Sequence, residues 1–517
     1  MYEKKKSNER SKKALNNIIF GFIFRAVSML GPFIVRVVVT WTIGKEFLGI
    51  SGVFASILSM LSLTELGFAS AIAYKCYALY ATNDIERVCQ YLSYFRKIYQ
   101  LVGSIIVIFG FSLTPFLQLI ISDALPSGLN LYVIYFVYLF QTAVSYFMSA
   151  YKTVIFTVSQ RQDIESKIAL ACHSFLYLFQ IGTLIVFRNY YFYLIALPIS
   201  TILINVSRII VARKLFPDYV PVGDITKEEK KELYKSIIPL IGHRIHGTIV
   251  ISADNIIISM FLGVLAVAEY NNYFTIITAL SGFIIAIYAA IQPGIGNSMA
   301  TESMEKNRSD FGKISFSLIW IVGWMSICLI CLLQDFIGLT FGKDSVLDFN
   351  MVLLLVLQFF IWRTFDILMT YRDVVGKWNG DTLIPYISGL FNLVSNVLLV
   401  RWIGINGVVI STILTFIVFS IPNSIRVLFK EVFKAPISLF LREYIFNTMC
   451  VAVVGLITYG ICSLIPFENV YMNLMVKGLL CLFIPNVLFF LFWKNKDEYK
   501  YFKQKVLIPV VSKVKRR

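Results

Sequence analysis

The chain has 517 residues, of which 58% are hydrophobic and 15% are charged, and its formal net charge is +17. This composition is far more apolar than that of a soluble domain. A basic balance in a soluble protein suggests nucleic-acid binding, but the basic residues here are spread over eight segments between apolar stretches. We therefore attribute the charge to membrane topology and anionic lipid headgroups, and we expect no nucleic-acid partner.

Fourteen apolar spans follow one another along the chain, each near the roughly 20 residues that cross a bilayer core. The sequence therefore predicts an all-α integral membrane protein with fourteen transmembrane helices. The first span is too long for the apolar region of a cleavable signal peptide, so we expect it to be retained. The predicted spans are 15–38, 48–73, 98–121, 130–151, 168–187, 190–207, 236–262, 270–297, 314–334, 350–370, 383–400, 405–425, 443–465 and 471–493.

The Lys and Arg residues alternate with these spans and so predict the topology. The N-terminal tail, every second loop and the C-terminal tail together hold 38 of the 47 Lys and Arg residues. The opposite loops hold only Lys45, Arg188, Lys343 and Arg401. Because positive residues stay on the cytoplasmic side, both termini are predicted to be cytoplasmic.

A weak internal repeat relates the first and seventh spans. Arg25 lies nineteen residues before Gly44, and Arg244 lies nineteen residues before Gly263. Both copies start in the cytoplasm, which predicts two six-helix lobes related by a parallel pseudo-two-fold axis, followed by two C-terminal helices. The predicted divisions are a cytoplasmic basic tail (1–14), an N-terminal six-helix lobe (15–211), a cytoplasmic linker (212–235), a C-terminal six-helix lobe (236–426), helices 13 and 14 (427–493) and a second cytoplasmic basic tail (494–517).

Several charged residues lie inside the predicted spans, where a charge costs at least roughly 2.5–3.5 kcal/mol unless it has a partner or a wet cavity. Bases outnumber acids among them, which favours a cavity with surplus positive charge and an anionic ligand. Arginine suits phosphate because its planar guanidinium makes two parallel hydrogen bonds. The bases are Arg25, Arg36, Arg244, Arg363 and Lys477, and the acids are Glu65, Asp254 and Asp366.

Each of these residues also has a purely structural interpretation. Arg363 and Asp366 are three residues apart on one helix face and can neutralise each other. Glu65 of the second span lies at roughly the depth of Arg25 and can form an ion pair with it. Two bases lie toward the outer ends of their spans and can extend to the interface, namely Arg36 and Lys477.

Two further motifs favour packing over chemistry. His243 and His246 could share a metal at i, i+3, but no further acids or Cys residues are near them in the sequence. Cys328-x-x-Cys331 lies in mid-span among apolar residues, which favours small packing side chains. We therefore predict no metal site.

Proline and glycine residues are predicted to break or bend three spans, as is common in transporters. They are Gly31-Pro32 in span one, Pro239 in span seven and 292–296 in span eight. Nucleotide-binding loops and a soluble domain large enough for an ATPase are absent from the sequence, so any transport is expected to be secondary.

Three stretches resemble bacterial oligosaccharide flippases of the Wzx type, the polysaccharide-transporter branch of the multidrug/oligosaccharidyl-lipid/polysaccharide exporter superfamily. They are LTELGFASAIAYKCYALYATNDIERVCQYLSYFRKIY at 63–99, D-x-I-I-I-x-x-F-L-G from Asp254 to Gly263, and YRDVVGKWNGDTLIPYISGLFNLVSNVLLVRWIGINGVVISTI at 371–413. The resemblance implies two six-helix lobes around a central cavity that opens alternately to each side of the bacterial plasma membrane. It also implies that undecaprenyl-pyrophosphate-linked oligosaccharide is moved from the cytoplasmic to the outer leaflet.

We therefore expect a flippase for capsule or other surface polysaccharide biosynthesis, and not an enzyme. Arg25, Arg244 and Arg363, together with Arg36, are predicted to bind the pyrophosphate and acidic sugars. The candidates for holding a coupling proton or sodium ion are Glu65, Asp254 and Asp366. We expect no other cofactor and a monomer, and the resemblance implies polysaccharide polymerase and glycosyltransferase neighbours.

Two rival functions make different demands on the sequence. A multidrug or toxin exporter of the same superfamily, coupled to a cation gradient, would need a cavity rich in acids and aromatics for cationic drugs. A glycan polymerase or ligase would need long external loops with catalytic polar residues, whereas the external loops predicted here are short.

Overall fold

The computed structural model describes residues 2–62, 68–121, 126, 128–148, 152–377, 383–464 and 468–504. Within these ranges every regular element is a helix and none is a strand. The all-α prediction is confirmed.

Ten helices cover the first half of the chain. They are α1 (Tyr2–Thr42), α2 (Glu46–Leu61), α3 (Phe68–Ala81), α4 (Ile85–Leu113), α5 (Leu117–Ile120), α6 (Leu131–Met148), α7 (Thr153–Val158), α8 (Gln162–Phe187), α9 (Tyr190–Leu215) and α10 (Lys227–Leu262).

Nine helices cover the second half. They are α11 (Val264–Thr301), α12 (Met304–Phe341), α13 (Phe349–Val375), α14 (Ile384–Ile403), α15 (Ile405–Thr415), α16 (Ile421–Arg426), α17 (Ile437–Ser463), α18 (Val470–Trp493) and α19 (Asp497–Phe502). Two π-helical segments, Phe416–Ser420 and Val427–Val432, flank α16.

Thirteen helical segments of the described chain are long and apolar enough to cross a membrane, one for every predicted span except the second. That span, 48–73, falls on α2 and α3, and residues 63–67 between them lie outside the described part. The apolar helix α2 has sixteen residues, which is about 24 Å and less than the roughly 30 Å of a hydrocarbon core. The protein is thus a multi-pass membrane protein with at least thirteen candidate spans.

Three helices continue through the residues that were predicted to break them. Pro32 lies inside α1 and Pro293 inside α11, and α10 runs through position 239 without interruption. The helices are therefore not broken at these positions, and the predicted bends stay a prediction. A proline removes one backbone hydrogen bond, and neighbouring helices can compensate for this loss at membrane depth.

The second half of the predicted linker, 212–235, forms the first turns of α10. The Thr226 hydroxyl accepts a hydrogen bond from the Glu229 backbone N–H, and the Glu229 carboxylate accepts one from the Thr226 N–H. This capping box starts the helix, which then runs directly into the seventh predicted span. The amphipathic segment and the span are one helix of 36 residues.

The glycines of the internal repeat both lie in turns with positive φ. Gly44, two residues after the end of α1, has φ +117°, and Gly263, directly after α10, has φ +89°, a backbone region that favours glycine. A Cβ added to Gly49 of α2 would lie 1.8 Å from the carbonyl oxygen of Val264, so the start of α2 approaches the start of α11 closely. The repeat itself stays a prediction.

Two compact units divide the chain, Met1–Ala268 and Glu269–Arg517. In the first unit α1 packs on α8, α6 and α8 pack on α9, and α10 packs on α2. In the second unit α12 packs against α13, α17 and α18, and α14 packs against α15. The first unit includes α10, and the predicted lobe boundary within 212–235 stays a prediction.

Candidate substrate-binding arginines

Two of the predicted site arginines lie on one face of α1. Arg36 follows Arg25 by eleven residues, which is about 16 Å along a helix and about 20° around it. Arg25 is exposed and Arg36 is half-buried, with its Nε atom in the interior. The two guanidinium groups therefore belong to one stripe along the helix.

The third arginine of the first unit, Arg244, is exposed near the start of the span part of α10. It lies three residues after Ile241, the first residue of that span, or about 5 Å at helical rise. Arg25 lies six residues, about 9 Å, into the span that begins at Ile19. The relative depths of Arg25, Arg36 and Arg244 in the bilayer stay a prediction.

Arg363 of α13 forms an ion pair within its own helix. Its Nη1 atom lies 2.8 Å from Oδ2 of Asp366, and its guanidinium lies 5.9 Å from the centre of the Trp362 ring. The Tyr288 hydroxyl donates a hydrogen bond to the Arg363 carbonyl oxygen (2.6 Å). The structural interpretation of the Arg363–Asp366 pair is confirmed, and its role in binding substrate stays a prediction.

Lys477 of α18 pairs with an acid that the sequence analysis did not single out. Its Nζ atom lies 2.6 Å from Oδ2 of Asp335 on α12. Asn473, one turn earlier on α18, donates to the same oxygen (3.0 Å). Asp335 was missed because it is the residue just after the predicted span 314–334. The Asn473-x-x-x-Lys477 spacing was the available signal, since it places both donors on one helix face.

Of the two remaining acidic candidates, the structure describes Asp254 but not Glu65. Asp254 is buried on α10, next to Asn255, whose side-chain amide donates to the Ser56 hydroxyl of α2 (2.9 Å). Glu65 lies outside the described residues, and with it the predicted pair between Glu65 and Arg25. Of the two acidic candidates in the first unit, Asp254 is therefore the one that the structure describes, and its coupling role stays a prediction.

His173 is an ordinary packed side chain, because its ring lies 5.7 Å from that of Phe24 and 5.9 Å from that of Tyr177. His243 and His246 lie on α10, and among the described residues no third Cys, acid or His completes a group of three ligand atoms with them. The roles of His243 and His246 stay a prediction.

Cys331 has neighbours that its sequence motif does not reveal. Its ligand atom and those of Cys462 and Cys481 lie within 4.8 Å of one another, and all three residues are buried. They come from α12, α17 and α18, so the thiols fill the junction of three packed helices. The neighbours lie more than 100 residues away in the chain, beyond what a Cys-x-x-Cys spacing can indicate.

Arg372 is a buried arginine that the sequence analysis counted among loop bases. It lies in the last turn of α13 and is among the largest fully buried side chains. Its guanidinium donates to the Ser424 hydroxyl and to the Lys377 carbonyl oxygen, both at 3.3 Å. These contacts tie the end of α13 to α16, which points to a structural role.

No family model matches the chain, and no curated protein matches it in sequence. Its fold is similar to that of solved transporters. A structure described as the lipid II flippase MurJ in an inward closed conformation matches with TM-score 0.68 and 14% identity, covering 92% of this chain and 98% of that one.

Multidrug transporters of known structure are also similar. An inward-facing multidrug resistance MATE family transporter of the MOP superfamily matches with TM-score 0.57 and 14% identity, covering 82% of this chain and 94% of that one. A MOP superfamily transporter from Pyrococcus furiosus, described as having a binding pocket of reverse polarity, matches with TM-score 0.51 and 14% identity, covering 85% and 96%. The chain has the fold of MOP superfamily transporters.

Proposed function

We propose that this protein is a flippase that moves undecaprenyl-pyrophosphate-linked oligosaccharide from the cytoplasmic to the outer leaflet of a bacterial plasma membrane. The exposure of Arg25 and Arg244 on helices that cross the membrane carries the proposal. The exposed part of a guanidinium at membrane depth meets either lipid or water, and lipid is the costly alternative. A water-filled path with arginines along it attracts an anion.

The three arginines of the first unit would suit a pyrophosphate if they lie at successive depths, as we propose. Arg244, three residues after Ile241, is proposed to lie nearest the leaflet from which the substrate enters. Arg25 is proposed to lie deeper, and Arg36 lies about 16 Å further along the same stripe of α1. A pyrophosphate could be passed from one guanidinium to the next, with two parallel hydrogen bonds at each.

Asp254 and Asp366 are the described candidates for a coupling proton or sodium ion. Asp254 is buried in the first unit, and Asp366 is held by Arg363 in the second. Because the Arg363 guanidinium already neutralises Asp366, Asp254 is the better placed of the two. A cation bound at Asp254 would bias the return of the empty carrier, so that an ion gradient drives net transport. Capsule or another surface polysaccharide is the proposed destination of the glycan, with a monomeric transporter working beside a polymerase and glycosyltransferases.

Fold similarity to multidrug transporters keeps cation-coupled drug export as the second candidate. A cationic drug needs an acid that is available to it, and the Asp366 carboxylate lies 2.8 Å from the Arg363 guanidinium. The arginines of α1 and α10 would also repel such a substrate. The anionic substrate is therefore the better supported of the two.

The proposal is tested by glycan export in cells that depend on this protein. We expect the double variant R25A/R244A to abolish export while the protein stays in the membrane at its normal level. The control R188A/R401A removes two arginines at exposed helix ends and should leave export intact. Normal export by R25A/R244A would refute the role of these arginines.

A further inference from the structure

Three basic side chains line one cavity of about 200 Å³ in the first unit. They are Arg96 of α4, Lys152 just before α7, and Arg213 in the last turn of α9. The cavity is unrelated to the arginines of the proposed transport path, because none of its lining residues belongs to α1 or α10.

The chain brings these residues together at one membrane boundary. Arg96 lies two residues before the predicted span 98–121, and Lys152 lies one residue after the predicted span 130–151. Arg213 is near the end of α9, which closes the sixth predicted span. All three ends belong to the side that the distribution of Lys and Arg predicts to be cytoplasmic. The cavity is therefore expected at the level of the lipid headgroups.

The positive charges of this cavity act on one another. The pKa of Lys152 is lowered by burial and by the charges of Arg213 and Arg96. A bound anion would relieve the repulsion among the three bases.

The remaining walls of the cavity are largely apolar or aromatic. Among the described residues that line it there is no Asp or Glu. The apolar and aromatic lining side chains include Leu92, Ile155, Phe216, Tyr219 and Val220. A polyanion such as a nucleic acid or a soluble phosphate has little to gain from such walls, whereas the glycerol and upper acyl part of a lipid can pack on them.

We propose that Arg96, Lys152 and Arg213 form a binding site for the phosphate of an anionic phospholipid of the cytoplasmic leaflet. Guanidinium groups bind phosphate oxygens with two parallel hydrogen bonds, and the lysine adds a point charge. Because Lys152 and Arg213 precede and follow the membrane-crossing helices α8 and α9, the lipid would hold the ends of these helices together. This site is separate from the substrate path.

The experiment compares lipid binding by the purified full-length protein and two triple variants. R96Q/K152Q/R213Q removes the bases of the cavity, and K214Q/K227Q/K231Q removes the same charge from exposed positions that do not line it. Each protein is titrated with phosphatidylglycerol in phosphatidylcholine micelles, and binding is followed by the rise in Tm. Sodium phosphate at millimolar concentration is titrated in a parallel arm.

We expect phosphatidylglycerol to raise the Tm of the wild type and of K214Q/K227Q/K231Q at the same lipid fraction. Each base that contacts the lipid phosphate in the cavity should contribute about fivefold in binding, so the cavity variant should need about a hundredfold more lipid. Equal titrations for the two triple variants would overturn the proposal. A Tm rise produced equally by sodium phosphate would overturn the assignment to lipid.

The Tm in phosphatidylcholine alone distinguishes a folding defect from a loss of phosphatidylglycerol binding. This Tm should be the same for all three proteins. If R96Q/K152Q/R213Q is unstable there, the single variant R213Q replaces it, because the Arg213 side chain is exposed and its loss leaves the packing intact. R213Q should then need about fivefold more phosphatidylglycerol than the wild type, and an unchanged titration would contradict the site.

Discussion

Arg363 and Asp366 form an ion pair on one face of α13, with Nη1 of the arginine 2.8 Å from Oδ2 of the aspartate. Both side chains are mostly shielded, at 12% and 30% exposure. The pair therefore lies between the exposed ion pairs that contribute little and the buried pairs whose disruption is strongly destabilising. The energetic contribution of this ion pair determines whether the Arg363 guanidinium is available to bind substrate or instead stabilises its own helix.

We predict that R363A lowers stability by about 1–3 kcal/mol because it leaves the Asp366 carboxylate without its cation. The double variant R363A/D366A should be more stable than R363A and should retain export, since the unpaired charge is removed. Thermal unfolding and glycan export measure the two effects. Loss of export by a stable R363A/D366A protein would instead place the pair in the transport mechanism.

The Lys477–Asp335 pair joins α18 to α12 and gives a second prediction. K477M should destabilise the protein, because Asp335 would keep only the hydrogen bond from Asn473. K477M/D335N should recover part of the loss, as expected for residues that are energetically coupled. The Tm values of the two single variants and the double variant measure this coupling, and additive effects would show that the pair contributes nothing.

Gly49 is required by the approach of α2 to the start of α11. A methyl group at this position would meet the Val264 carbonyl oxygen at 1.8 Å, so G49A must separate the two backbones. We expect a loss of about 1–3 kcal/mol or failure to fold. A Cβ added to Gly182 of α8 would meet no atom within 4 Å, and G182A should be neutral or slightly stabilising. Equal Tm values for G49A and G182A would contradict the close approach.

Glu229 makes part of the stability dependent on pH. Burial alone would raise its pKa, but hydrogen bonds from Thr226 and Tyr91 and the charge of Arg87 outweigh burial, so the pKa lies below its ordinary value. The Glu229 carboxylate accepts hydrogen bonds from the Arg87 guanidinium and, at 3.0 Å, from the Tyr91 hydroxyl. These contacts hold the first turn of α10 against α4.

A lowered pKa in the folded state stabilises the protein above the unfolded pKa of about 4.3 and loses this effect as the pH falls through the folded value. We therefore expect E229Q to have a lower Tm than the wild type at pH 6, and the two Tm values to converge toward pH 3. E228Q changes an exposed neighbour and should match the wild type throughout. A constant difference between E229Q and the wild type across this range would contradict the charge effect.

Hydropathy and the positions of Lys and Arg predicted thirteen of the candidate spans, because the length of an apolar helix is a local property. They did not predict that α1 and α11 continue through Pro32 and Pro293, since compensation of a lost hydrogen bond depends on neighbouring helices. The i, i+3 spacing was sufficient for Arg363 and Asp366, which lie on one helix.

Partners from different helices were out of reach of the sequence. Asp335 meets Lys477 from 142 residues away, and Cys331 meets Cys462 and Cys481 through the packing of three helices. The sequence of one chain shows which charged side chains are energetically costly to place in a membrane. The packing of the helices determines which of these side chains form pairs.

The most direct test of the central claim is the labelling of single cysteines with a membrane-impermeant thiol reagent in the intact membrane. R25C and R244C should react, because their side chains are proposed to face water, and inorganic pyrophosphate should slow the reaction. L178C, at a position 71% exposed on the apolar helix α8, should not react beyond the wild-type background. If R25C and R244C are as unreactive as L178C, these positions face lipid and the anionic substrate loses its physical basis.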